Sequence, residues 1–377
     1  EDGYPNISEY FKIGCWKINT TDMSVEEIKD EIIKYLEENN VPEGYQEYLP
    51  MIDNLYTSAM KVKNKMLKEG FLEFSSDEVK FLFENNNIID IKERHQGKAE
   101  ELIEFLMLLH NICLTDYFIK NKLPFISRFH DSPNNERLLV WINLLKKKGY
   151  NINLGKKKDF TADDIKEVQK IYENAKEKVV YDKMAIMSQS KAKYSACNVG
   201  HFALGFAAYS TGTSPIRRIS DTINQRILKD SLNKGVDYTR RKWEKITPYI
   251  ARMATSAELR SIKAERKLDD IRKAEYMKPF EKQYFDVIVS SISDNYITVL
   301  YKEKMIYGKI YYNRAYYHLD KQGCSIYSEK DRISVGDSFS AKLLRVNTAT
   351  GELVFFKETN SIKETYNKEK KTRTKRR

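Results

Sequence analysis

The sequence predicts an α+β chain in which a mostly helical body is followed by a small β-barrel. Three observations predict it. Apolar residues recur at helical spacing from the first third of the chain to about Met277. At about Pro279 the period changes from helical to alternating. Five strand candidates then fall within roughly 75 residues, the number a Greek-key barrel of the OB type requires.

In chain order, residues 1–44 form an unassigned N-terminal segment with one helical stretch, Ser24–Asn40, where Ser24 and Glu27 make a capping-box pattern. The helical body is placed at 45–278. Its first helix covers roughly Tyr48–Lys68, with Leu49, Ile52, Leu55, Tyr56, Ala59, Met60 and Val62 as its apolar stripe, and Gly70 as its stop. Solvated loop charges are expected at Asp77 and Glu78. Ile89–Asn111 begins as a strand and turns at His95–Gly97 into an amphipathic helix. Two helical patterns lie between Arg137 and Val180, the second starting near Thr161, and further helices are expected at Thr222–Asn233 and Trp243–Met277. The barrel, 279–357, has strands at Phe285–Val289, Tyr296–Tyr301, Met305–Tyr312, Ser338–Val346 and Leu353–Phe356. The tail, 358–377, lacks apolar spacing and is expected to be disordered.

A net charge of +11 suits a polyanionic partner, but its distribution matters. Lys357–Arg377 carries nine Lys/Arg against three Asp/Glu, a net +6, leaving +5 for the rest. Cys15, Cys113, Cys197 and Cys324 are widely separated and show no zinc or redox spacing, which suits free thiols in a reducing cytosol. No apolar run of membrane-spanning length stands out, and no membrane partner is expected.

The stretch 191–229 sets Gly200, Gly205 and Gly212 and a Thr-Ser-Pro turn ahead of Arg217 and Arg218. Glycines permit close backbone approach, and paired guanidinium groups can fork onto a phosphodiester. The bland alternative is a solvated arginine pair. Asp221, opening the next helix, either holds an arginine or favours the positive helix end.

Ser190-Lys191-Ala192-Lys193-Tyr194, Gly200-His201-Phe202 and Thr213-Ser214-Pro215-Ile216-Arg217-Arg218 together resemble the signature of the ribonuclease II/ribonuclease R (RNB) family of exoribonucleases. Lys61–Phe74 resembles the family's basic helix that closes at a glycine and runs into a Gly-x-x-x-Phe strand, and Leu123-Pro124, a short strand and Arg128-x-His130-x-x-Pro133 fit the same pattern, while Ile219 and Gln225 replace the usual tyrosine and histidine. The resemblance covers about residues 45–357 and implies the distal part of an RNB catalytic domain followed by an S1-type RNA-binding barrel. The S1 likeness rests on Tyr316–Asp320, Val335-Gly336-Asp337 and Val354–Phe356. It implies 3′-5′ hydrolysis of single-stranded RNA to nucleoside 5′-monophosphates with Mg²⁺.

By that match Arg217 is catalytic, stabilising charge on the phosphate. Arg218, Glu104 and Glu265 are RNA-positioning candidates, with Phe105 standing where the family has a second glutamate. Tyr296, Lys342 and Phe356 are candidate RNA contacts on the barrel. His130 is read as structural. The family's Asp-x5-Asp-x-Asp-Asp metal cluster does not occur, since Asp2, Asp22 and Asp30 are isolated. The expectation is therefore a fragment whose aspartates come from a missing N-terminal half or a separate chain. The alternative is a non-catalytic RNA-binding module.

Overall fold

The computed structural model describes residues 48–357 except 75–77, 86, 95–96, 156, 158, 198–199 and 330. The helix expected at Ser24–Asn40 and the basic tail lie outside the described residues. The chain divides into two compact units, 1–68 with 95–113, and 69–94 with 114–377.

Described residues of the first unit lie on helix α1 (Leu49–Lys68) and the beginning of α2 (Lys98–Lys120). Ile52, Ala59 and Met66 of α1 are buried at the predicted spacing. Leu102, Phe105 and Leu108 of α2 are buried as well. Lys63 joins this unit's helices by an ion pair to Glu101 at 2.7 Å and lies 5.7 Å from the Phe105 ring centroid. Phe105 is thus a core residue, which accounts locally for an aromatic where a second glutamate was expected. By length and composition α2 is apolar enough to cross a membrane, which inspection of the sequence for apolar runs overlooks. Its buried residues, continuing through Leu114 and Phe118, are those of a core helix.

The second unit opens differently from expectation. Gly70, at φ +103°, follows the helix end as predicted, but residues 71–74 form no strand. The local sheet is instead a hairpin of β1 (Val79–Glu84) and β2 (Asn87–Glu93), whose first strand was hidden among charged residues. Next come β3 (Ser127–Phe129), α3 (Asn135–Lys147), α4 (Ala162–Ile171), α5 (Lys178–Ser188) and β4 (Lys193–Ser195). The start of α4 is a complete capping box between Thr161 and Asp164. Helices α6 (Ile219–Lys234), α7 (Val236–Trp243) and the 31-residue α8 (Thr247–Met277) follow. Separate helices α5 and α7 were not distinguished from the sequence.

All five barrel strands form where the alternation placed them: β5 (Tyr284–Ile292), β6 (Tyr296–Tyr301), β7 (Ile306–Tyr311), β11 (Ser338–Asn347) and β12 (Glu352–Phe356). They close in the order β11-β12-β7-β6-β5. Inside, Gly308 is required, because a Cβ there would lie 2.4 Å from the Phe355 ring. A small three-stranded sheet, β8 (His318–Leu319), β9 (Ser325–Tyr327) and β10 (Arg332–Ser334), is inserted between β7 and β11 and was not predicted.

The barrel shares one hydrophobic core with α3, α4 and α5. Polar contacts add specificity: Lys148 pairs with Asp337 at 2.5 Å, Lys183 sits 3.4 Å from the Tyr307 ring centroid, and Lys273 of α8 donates to the Met305 carbonyl. A second core cluster joins the end of α2, β4, α6 and α8 through Phe118, Tyr194, Ile227 and Ala251. Helix α8 therefore reaches from the arginine-bearing region to the barrel.

Candidate nucleic-acid interface

The Thr-Ser-Pro segment bends immediately before α6, with the Arg217 and Arg218 amides both directed at the Ser214 carbonyl. Asp221, in the first turn of α6, is fully buried. Its carboxylate accepts from Thr211 Oγ1 (2.6 Å), the Ser214 amide (2.8 Å) and Ser220 Oγ (3.0 Å). Arg218 adds two bonds, from Nε at 3.1 Å and Nη2 at 2.8 Å. Of the two roles open to Asp221, the structure shows the first: it holds an arginine. A buried carboxylate needs this many donors because desolvation is costly.

Asn224, one turn further, locks the same segment to the body. Its side chain bonds the Ile126 amide and carbonyl and the Thr211 carbonyl, each at 2.9 Å. Gln225 donates to the Gly212 carbonyl at 2.5 Å, so the residue that replaces the expected histidine also fastens the turn.

The two arginines therefore differ. Arg218 is consumed by Asp221, whereas Arg217 is exposed and its side chain makes no hydrogen bond or ion pair among the described residues. The turn offers one unneutralised guanidinium. Two of the three glycines act otherwise than expected: a Cβ on Gly205 would lie 2.2 Å from the Glu69 carbonyl oxygen, and one on Gly200 2.9 Å from that of Phe206. The close approach they permit is to protein backbone.

Beside the turn lies a cluster that sequence reasoning missed. Arg128 on β3 and Tyr194 on β4 are paired across the two strands. Arg128 Nη1 donates to Glu258 Oε1 of α8 at 2.7 Å and to the Tyr194 hydroxyl at 2.8 Å. The Tyr194 hydroxyl donates to Glu258 Oε1 at 3.2 Å. Burial alone would lower the Arg128 pKa, but Tyr194 and Glu258 outweigh it and raise it. Burial raises that of Tyr194 against the pull of Arg128. Arg128 stood inside a noted motif, but 130 residues separate it from Glu258 and no local pattern announces the pair.

His130 and His201 stack 5.1 Å apart beside a cleft of about 400 Å³ that Gly70 and Phe206 also line. Burial, reinforced by His130 and Arg128, pushes the His201 pKa down to about 3. His130 is lowered too, chiefly by burial, and its Nδ1 accepts from the Ala203 amide. Both rings are packed and neutral near pH 7, in keeping with a structural His130.

The remaining candidates fall on separate elements. Glu104 is half-buried on α2 in the first unit, and Glu265 is exposed on α8. On the barrel, Tyr296 is half-buried with Lys309 5.0 Å from its ring centroid, and Lys342 lies 5.4 Å from that of Tyr284. Phe356 is a correction: it is only 8% exposed, belongs to the core, and presents no face for a base to stack on. Among the described residues no three His, Cys, Asp or Glu side chains are placed to hold a metal ion. These residues do not fit a magnesium centre.

Fold and site together define an α+β protein with an exposed arginine on a turn of its helical body and a closed five-stranded barrel. The RNB domain family matches residues 19–234, more than half of the 377, and the chain belongs to that family. Ribonuclease R of Thermotoga maritima is 30% identical over 340 residues, covering 87% of this chain and 47% of the relative. The chain thus spans about half the length of that curated relative. Mycoplasma genitalium RNase R in complex with ribose-methylated single-stranded RNA has the same fold, with a TM-score of 0.80 at 20% identity over 87% of this chain and 52% of that one. The same enzyme in complex with double-stranded RNA gives 0.73 at 19% identity, over 86% and 54%.

Proposed function

We propose that the chain is the distal part of a 3′-5′ exoribonuclease of the ribonuclease R type, hydrolysing single-stranded RNA to nucleoside 5′-monophosphates. The observation that carries this is the exposed, unneutralised Arg217 on a turn whose neighbouring arginine is locked by a buried aspartate. A guanidinium fixed at such a turn meets a phosphate without first surrendering an internal partner, and its charge grows in value as negative charge develops on the phosphoryl oxygens. Arg218 serves as the brace that sets the turn. Glu104 and Glu265 are assigned to positioning RNA on the family resemblance.

The barrel is read as an S1-type RNA-binding domain. Tyr296 supplies a partly exposed ring and Lys342 a cation, the pairing that tracks single strands, with stacking worth roughly 1–3 kcal/mol per base. Mg²⁺ would activate the attacking water and neutralise charge. Its ligands are assigned to a missing N-terminal half or a separate chain, since the residues described do not supply them. That same observation favours a second reading, a module that holds RNA and cuts nothing.

Incubating the chain with uniformly labelled single-stranded RNA and Mg²⁺ separates the two. Release of nucleoside 5′-monophosphates supports hydrolysis by this stretch alone. A salt-sensitive gel shift without product supports binding only. Absence of binding at low salt would refute both.

A further inference from the structure

We propose that the cleft beside His130 and His201 is a binding site for a guanidinium group. The inference does not rest on the reading of Arg217. Glycines make the space: Gly70, Gly200 and Gly205 all line the cleft, and a Cβ on Gly200 or Gly205 would run into a backbone oxygen at 2.9 or 2.2 Å. Backbone bonds fix the walls. The Leu72 amide donates to the Ala203 carbonyl at 2.9 Å and the His201 amide to the Phe206 carbonyl at 2.7 Å. The cleft is thus formed before any ligand arrives, and its volume of about 400 Å³ falls within the roughly 300–1,000 Å³ of small-ligand pockets.

The lining selects the ligand. Two acidic residues, Glu69 and Asp131, line the cleft, and no lysine or arginine does so among the described residues. Asp131 is exposed, and its side chain makes no hydrogen bond or ion pair among the described residues. Such a site repels phosphate and draws a cation. His201 supplies a second, independent signal: the residue is 7% exposed and its Nδ1 has no hydrogen-bond partner. Leaving a buried polar nitrogen unpaired is costly, so a ligand that pairs with it gains. Burial holds the ring neutral, with its pKa down to about 3, so one ring nitrogen keeps a lone pair for an N–H donor at neutral pH. His130 does not compete, because its Nδ1 already accepts from the Ala203 amide. The third signal is shape. The lining offers flat rings, Phe206 and the stacked imidazoles. A guanidinium carries its N–H donors in its own plane and lays its face on an aromatic ring, whereas an ammonium has no face to lay. One planar cation therefore serves carboxylate, imidazole and ring together.

The test titrates the full chain, labelled with ¹⁵N at histidine, with L-arginine amide and separately with a short peptide whose only charged side chain is one arginine. The chain has five histidines, few enough for the imidazole resonances to be resolved, and His201→Gln assigns one of them. A saturable shift of the His201 resonance is expected, with a dissociation constant on the order of 1 mM or below. Saturation by the amide assigns the cleft to a free small ligand, and saturation by the peptide alone assigns it to an arginine of a partner chain. Asp131→Asn should weaken binding about tenfold. Asp163→Asn, which removes an exposed carboxylate outside the cleft lining, should change it by less than about twofold. L-lysine amide, equal in charge but lacking the planar group, should bind at least about fivefold more weakly. No saturable His201 shift with either probe overturns the inference, as do equal effects of Asp131→Asn and Asp163→Asn or equal affinity for lysine amide. A His201 shift produced by adenosine and not by the arginine probes assigns the cleft to a base and overturns it as well.

Discussion

Replacing Asp221 by alanine should be among the most damaging single changes in the chain. The carboxylate is fully buried and accepts five hydrogen bonds, two of them from Arg218. Its removal leaves Arg218, with a side chain 21% exposed, without its carboxylate and strands the Ser214 amide and two hydroxyls. Breaking a buried pair from one side costs roughly 3–5 kcal/mol. The partial exposure of Arg218 puts the expected cost near about 3 kcal/mol, since water can reach the stranded cation. At roughly 2–4 °C per kcal/mol for a large domain, the melting temperature should fall by about 6–12 °C. Asp221→Asn should be only partly milder, because its amide nitrogen would point a donor at donors. Thermal unfolding followed by circular dichroism, with oligonucleotide affinity measured on the still-folded protein at low temperature, tests both arms. A loss under about 1 kcal/mol together with unchanged RNA affinity would refute the claim that this aspartate fastens the arginine turn.

Other outcomes follow from particular contacts. The His201 pKa is depressed from 6.5 to about 3, so the unfolded chain binds the extra proton first as pH falls. Stability from this group is fully present above pH 6.5 and declines below it, by at most about 1.4 kcal/mol per pH unit. His201→Gln should flatten denaturant midpoints between about pH 6.5 and 4.5, and an unchanged pH profile would count against the burial argument. Gly205→Ala should destabilise far more than Gly149→Ala; both glycines have positive φ, but only at Gly205 does a Cβ meet backbone, the Glu69 carbonyl oxygen at 2.2 Å. Equal melting temperatures for the two variants would contradict the close-approach account. Phe356→Ala should lower stability by roughly 3–5 kcal/mol, whereas Tyr296→Ala should leave melting nearly unchanged and weaken RNA binding. The reverse pattern would exchange their assignments.

Local periodicity carried most of the fold. The five barrel strands, the stop of α1 at Gly70 and the helix start at Thr161 each depend on residues within a few positions of one another, and each formed where the spacing placed it. Where charged residues interrupted a pattern, as at β1, or where turns were short, as around β8 to β10, the signal failed. Pairing there is supplied by a partner strand that sequence spacing does not reveal.

The site divides along the same line. The sequence by itself determined that two arginines follow a proline turn and precede a helix, and that an aspartate stands one turn away, because these are neighbours in the chain. Only the tertiary structure decided which arginine is free and which is held, that Phe356 faces inward, and that Glu258 meets Arg128. Those outcomes depend on burial and on long-range pairing. A buried charge takes whichever partner the packed elements bring within about 3 Å, and that partner can lie anywhere in the sequence.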